Sequence, residues 1–150
     1  MSAEDRVETD RKRHAAWAKF AKETGDTPAM PAATVVVLRD GPEGPETLML
    51  RKNSKIAFGG MWVFPGGKVD DEDWDGADED VDAARNAAIR EAAEEAHLRV
   101  EAHEMVVFAH WIPPAIAPKR YATWFFAAPV DGDDVMIDDG EIVEMSWATP

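Results

Sequence analysis

Apolar positions along the chain change their period several times, and each change marks an element. Residues 3–24 are polar except for a weak apolar edge of Trp17, Phe20 and Ala21, which predicts a helix ended by Gly25 and Pro28. After Pro31 the run AATVVVLRD is β-branched and closes on DGPEGPE, so a strand and a turn are expected. TLMLR at 47–51 supplies the second strand of that hairpin, and KNSKIAFGG is a loop. MWVF at 61–64 alternates as a half-buried strand does, with Met61, Trp62 and Phe64 in the core. Gly66 and Gly67 then make a backbone turn.

Residues 70–82, DDEDWDGADEDVD, are almost wholly acidic and have no period. They read as a solvated surface loop with Trp74 as its anchor and Asp82 as N-cap of a helix from Ala83 to Ala96. Strands follow at 99–111, 119–130 and 141–148, with turns at 131–134 and 138–140. Strands, one well-formed helix, then strands again predict an α+β fold with a mixed sheet. An N-terminal helical extension over 1–30 and one domain over 31–150 are the expected organisation, since 150 residues suit a single core.

Charge and composition narrow the function. The net charge is −14, from 30 acidic and 16 basic residues, which argues against an extended nucleic-acid footprint. There is no cysteine, so disulfides, thiolate metal sites and cysteine nucleophiles are excluded. No apolar run reaches the roughly 18 residues of a membrane span, and the N-terminus has no apolar signal core. A cytoplasmic protein is the expectation. The cluster RKRH at 11–14 reads as a solvated helix face before it reads as a targeting signal.

Candidate chemistry sits on the helix RNAAIREAAEEAHL, 85–98. At about 100° per residue, Glu91, Glu94 and Glu95 project within one arc, with Arg90 able to reach Glu94. The opposite side carries Ala84, Ala88, Ala92, Ala96, Ile89 and Leu98, small enough to lie close to a sheet. Clustered carboxylates on a rigid support suit Mg²⁺ or Mn²⁺, and such an ion lets an acidic protein hold an anion. R-E-x-x-E-E is short enough to arise by chance, so the helix alone leaves a wet acidic face and a metal site both open.

FPGGKVD at 64–70, followed by AAIREAAEEAHL at 87–98, resembles the Nudix hydrolase superfamily, whose signature is G-x5-E-x7-R-E-U-x-E-E-x-G-U with U a bulky aliphatic. Arg90, Glu91, Glu94, Glu95 and Leu98 match, and Ala92 is a small stand-in for U. The strand order fits too, so the resemblance spans residues 31–148. Two departures stand out. Between Gly67 and Arg90 the chain is nine residues longer than the signature, an insertion within the acidic tract, and Asp82 is a candidate for the first acid's place. His97 stands where the signature has Gly at a left-handed helix end. The segments KRYATWFF and EIVEMSW look like the branch that includes peroxisomal coenzyme A diphosphatases, without the Arg near Ile56 that a fuller coenzyme A motif carries.

The resemblance implies an α/β/α sandwich with a catalytic loop-helix. Family members add a helix after the final strand; none follows Pro150, so that helix is expected to be missing. It further implies hydrolysis of a nucleoside diphosphate linked to another moiety, with Mg²⁺ or Mn²⁺ held by Glu91, Glu94 and Glu95 and with Arg90 orienting them. Glu141 and Glu144 are candidates for the general base. Arg51, Lys52, Lys68, Lys119 and Arg120 are candidate phosphate contacts, Arg120 foremost. Trp111, Tyr121 and Trp124 can stack on a base or pack in the core. A small-molecule partner is implied, and a homodimer is compatible with it. The competing class is a Nudix-fold ligand sensor without turnover.

Overall fold

The computed structural model describes residues 2–5, 8, 11–12, 15, 28–56, 59–117, 119–131 and 134–150. The β-branched run forms β1 (Ala29–Gly41), and a tight turn returns it as β2 (Gly44–Lys52), antiparallel from Leu38 opposite Thr47 to Gly41 opposite Gly44. Gly44 adopts φ +129°, which glycine reaches without strain, so the hairpin closes there. β3 (Trp62–Val63) pairs with β2, and β4 (Gly66–Lys68) pairs with β1. β5 (Val106–Trp111), β6 (Arg120–Pro129) and β7 (Ile142–Ala148) complete a seven-stranded sheet of order β3-β2-β1-β6-β5, with β7 antiparallel to β2.

One helix, α1 (Asp80–Ala96), lies on the sheet. Its Ala83, Ala84, Ala87, Ala88, Ala92 and Ala96 are buried, with Val35, Val37, Leu48, Leu50, Phe126 and Ile142 in the same core. Alanine carries no branched bulk, so the helix axis approaches the strands closely and its position is well determined. The fold class is the expected α+β. Among the described residues α1 is the one long helix, so the second helical layer of a sandwich is not seen there.

The chain divides into two compact units. One comprises residues 31–111 and 123–150 and holds α1 with most of the sheet; the other comprises residues 1–30 and 112–122. In the latter, residues 3–5, 8, 11–12 and 15 are helical, and Glu8 pairs with Arg11 at 2.9 Å and Lys12 at 3.6 Å. The expected apolar edge at Trp17, Phe20 and Ala21 lies outside the described residues.

Several expectations are corrected. Gly66 and Gly67 are strand, not turn: β4 hydrogen-bonds along β1 with Gly66 opposite Thr34 and Gly67 opposite Ala33. Met61 and Trp62 are exposed, because β3 is a two-residue edge strand with little to cover it. The strand expected from Arg99 begins only at Val106, after a 3-10 turn at Ala102–Glu104. The acidic tract is no structureless loop either. It holds a 3-10 turn at Asp71–Trp74 in which Asp73 is 4% exposed while Trp74 faces solvent.

Candidate active site

α1 starts three residues before the expected point. Glu79 is its N-cap, and Asp82 at the third helical position accepts a hydrogen bond from Glu79 N–H at 3.2 Å. Acidic Asp80 and Asp82 suit the positive end of the helix dipole. The other end is unusual: the last turn has no basic residue, although Glu91, Glu94 and Glu95 lie near the negative terminus. The helix stops at His97 in the left-handed conformation (φ 55°, ψ 28°), as the signature comparison predicts for that position.

The three carboxylates have three different surroundings. Glu95 is 1% exposed; its Oε1 accepts a hydrogen bond from Gly66 N–H at 3.1 Å, and its Oε2 is buried with no partner. Burial pushes its pKa up, opposed by the Gly66 N–H and reinforced by the charges of Glu91 and Glu141, to about 8. Glu91 is half-buried beside it; burial likewise raises its pKa, against the pull of Glu95 and Arg90. The two therefore titrate as a pair. Glu94 is not brought into that pair. Its side chain is exposed and ends on Arg90 Nη1 at 3.2 Å.

β4 seals one side of the pair. A Cβ on Gly67 would lie 2.5 Å from Glu91 Oε1, and one on Gly66 would strike the Ala33 carbonyl. Glycine is needed here for close approach, not for a turn.

Arg90 is enclosed by carboxylates. Its Nε and Nη2 donate to Asp73 Oδ1 and Oδ2 at 3.1 and 2.9 Å, its Nη1 to Glu91 Oε1 at 3.1 Å, and its Nη2 also to the Lys68 carbonyl at 3.2 Å. Asp70 and Glu72 lie farther out, at 3.3 and 3.6 Å. Burial opposes ionisation of Asp73, but Arg90 and the Asp70 N–H outweigh it and hold the carboxyl below its ordinary value. Sequence reasoning missed Asp73. The signal was present: with five residues between, Gly67 is followed by Asp73, the signature's spacing for its first acid, so the nine extra residues follow Asp73 and Asp82 belongs to the capping box of the helix.

The remaining candidates separate. Glu144 accepts from Arg51 Nε at 2.7 Å across the β2–β7 register, and both are well exposed. Glu141 accepts from Lys52 Nζ at 3.1 Å and is the one whose charge reaches Glu95. Lys68 follows the two glycines, is exposed, and makes no ion pair among the described residues. Arg120 donates to the Pro113 carbonyl at 2.8 Å, and it and Tyr121 belong to the unit that does not hold α1; Lys119 is exposed there. Trp124 stacks on His110 at 3.8 Å, whereas Trp111 is 72% exposed.

Comparison with known proteins now bears on this geometry. Residues 28–150 match the model of the NUDIX domain. The chain belongs to the Nudix family. No curated protein matches its sequence. Among solved structures, a NUDIX hydrolase from Alicyclobacillus acidocaldarius is similar with a TM-score of 0.69 at 23% identity, over 81% of this chain and 79% of that one. An Ap4A hydrolase from C. elegans, in a binary complex, gives 0.59 at 22% identity over 80% of each chain. The NUDIX domain of Shewanella oneidensis NrtR, complexed with ADP ribose, gives 0.62 at 16% identity over 85% and 80%. These likenesses establish the Nudix fold with its mixed sheet.

A divalent ion fits the Nudix site's donors, though no group of three or more His, Asp or Glu side chains converges on one point among the described residues. Two adjoining carboxylates, Glu95 buried with one unpartnered oxygen and Glu91 half-buried, form a hard-oxygen donor set that suits such a cation.

Proposed function

We propose that this chain is a Nudix pyrophosphohydrolase that cleaves a diphosphate bond in a nucleoside diphosphate linked to another moiety. Family membership supports the class. The observation that carries the reading is the buried Glu95–Glu91 pair with its orphaned Glu95 oxygen. A buried carboxylate left unpaired costs free energy with no structural return. Glu91 and Glu95 would hold Mg²⁺ or Mn²⁺, and Glu94, exposed and tied to Arg90, would contribute from the periphery. Such an ion supplies neutralisation of the diphosphate and acidification of a water.

The chain's own groups do the rest. Gly66 N–H fixes one Glu95 oxygen, leaving the other for the site. Arg90 holds Glu91 and does not face substrate. Of the two base candidates we favour Glu141, whose charge is felt at Glu95, over Glu144, which Arg51 engages. Lys68 would meet a phosphate oxygen as an exposed cation at the end of β4. Arg51 would do so only by leaving Glu144.

The Ap4A hydrolase and the ADP-ribose complex among the similar structures, together with the coenzyme A diphosphatase-like segments, define the substrates to test. Dinucleoside polyphosphates, ADP-ribose, nucleotide sugars and coenzyme A are to be incubated with Mg²⁺ or Mn²⁺, and the products identified. Metal-dependent release of a nucleoside monophosphate from one of these, absent in Glu95→Gln, is expected. Tight binding of a nucleotide with no product over hours would instead select the sensor reading.

A further inference from the structure

Arg51 and Lys52 adjoin at the end of β2, yet the strand sends them to opposite faces of the sheet. Leu48 and Leu50 are buried in one core with the alanines of α1, and a period of two puts Lys52 on their side and Arg51 on the other. There the Lys52 side chain is 18% exposed, and its Nζ donates to Glu141 Oε1 at 3.1 Å. The charge of Glu141 is felt at Glu95, so the pair stands beside the carboxylate with the unpartnered oxygen.

The loop that carries Glu141 is fixed without this ion pair. Asn53 N–H donates to the Glu141 carbonyl at 2.8 Å, and Asn53 Nδ2 to the Gly140 carbonyl at 2.9 Å. Asp138 Oδ1 accepts from the N–H groups of Gly140 and Ile142 at 3.2 and 2.9 Å. The register of β2 with β7 shifts at the same place: Arg51 faces Glu144 and Lys52 faces Ile142, which leaves Val143 as the extra residue of a bulge. The Lys52 backbone is anchored as firmly, its N–H donating to the Met61 carbonyl and its carbonyl accepting from Gly60 N–H, both at 3.0 Å. Main chain is held on both sides, so the side-chain pair is left to serve something other than the fold.

We propose that Lys52 is the cation that takes the substrate's diphosphate, exchanging Glu141 for a phosphate oxygen. This rests on the reading of the site as a pyrophosphohydrolase with Glu141 as its base. The Glu141 side chain is 47% exposed, so the pair is weakly held beside a charge-assisted bond to a polyanion. A lysine suits the exchange, being a point charge on a flexible stem. While Lys52 donates to Glu141, its positive charge weakens the carboxylate as a base. Once a phosphate oxygen takes the lysine, Glu141 is left among carboxylates and its hold on a proton rises. It then accepts a proton from water as the water oxygen bonds to phosphorus and the bridging P–O bond breaks, its electron pair leaving with the departing group. The base is thus released only when a diphosphate is present.

The test is calorimetric titration of the whole chain, at saturating Mg²⁺, with methylenediphosphonate, a diphosphate that cannot be hydrolysed. Lys52→Met should weaken binding by about 10–100-fold, as loss of a hydrogen bond between charged groups does. Lys52→Arg should stay within about threefold of wild type, and Lys55→Met, which removes the same charge from an exposed position, within about twofold. Glu141→Gln should tighten binding, because the lysine no longer has a partner to leave. The exchange itself is read from the double variant: Lys52→Met should cost about threefold more in the Glu141→Gln background than in wild type, since only wild type breaks the pair on binding. A structural role for the pair gives losses of the same sign in both single variants, and long-range charge gives equal costs in both backgrounds. If Lys52→Met does not fold, Glu141→Gln decides alone, and it must bind the probe more tightly than wild type. Wild-type affinity in Lys52→Met, no tightening in Glu141→Gln, or equal costs in the two backgrounds overturns the proposal and leaves the hydrolase reading intact. Wild-type protein that takes up no probe at millimolar concentration overturns both.

Discussion

At the residue scale, function turns on how unlike the three helix carboxylates are. Glu95 has a pKa of about 8 in the fold against an ordinary value near 4.5, so the native state favours its proton. That contribution to stability is complete below the unfolded value and is lost as pH rises through about 8. Metal-free protein should therefore melt at lower temperature at pH 8.5 than at pH 5.5, and Glu95→Gln should flatten that dependence while reducing turnover by at least about 100-fold. Thermal melts at both pH values, with and without the substitution, check this. Gly67→Ala is a second test. The added methyl would meet Glu91 Oε1 at 2.5 Å, so Glu91 must move, and activity should fall about tenfold or more with the fold retained by circular dichroism.

At the scale of elements, α1 explains why the site is rigid and where it is strained. His97 takes a positive φ of 55°, which glycine adopts without penalty. His97→Gly should raise stability by about 1 kcal/mol, a few degrees in melting temperature, and leave turnover unchanged. The helix, the hairpin and the alanine face were legible because period and small side chains act locally. What escaped sequence reading was tertiary. By composition Asp73 resembles its acidic neighbours until Arg90 folds onto it, and only its spacing from Gly67 distinguishes the buried carboxylate of this tract from the solvated ones. Gly66 and Gly67 suggested a turn because glycine usually marks one. Here the demand comes from Glu91 and the Ala33 carbonyl, distant in sequence. Glu144 and Glu141 read alike in the sequence, and only the cross-strand contacts give each its partner, Arg51 for the one and Lys52 for the other.

At the scale of the whole molecule, the apolar pattern is incompletely satisfied. β5 ends the order of the sheet, and all six of its residues are exposed, including Val106 at 63%, Phe108 at 57% and Trp111 at 72%. An exposed apolar edge strand is an association hazard. Self-association should rise with concentration, and Trp111→Lys should suppress it in sedimentation velocity without altering the melting temperature by more than a few degrees. Among the described residues no helix is long and apolar enough to cross a membrane. The whole reading rests on the Glu91–Glu95 pair, and calorimetric titration of the metal-free chain with Mn²⁺ and with Mg²⁺ at pH 7.5, with nucleotide present and absent, probes that pair most directly. Saturable uptake that releases protons and disappears in Glu95→Gln is the expected result; no uptake at millimolar metal by well-folded protein, or unchanged uptake in Glu95→Gln, would contradict it.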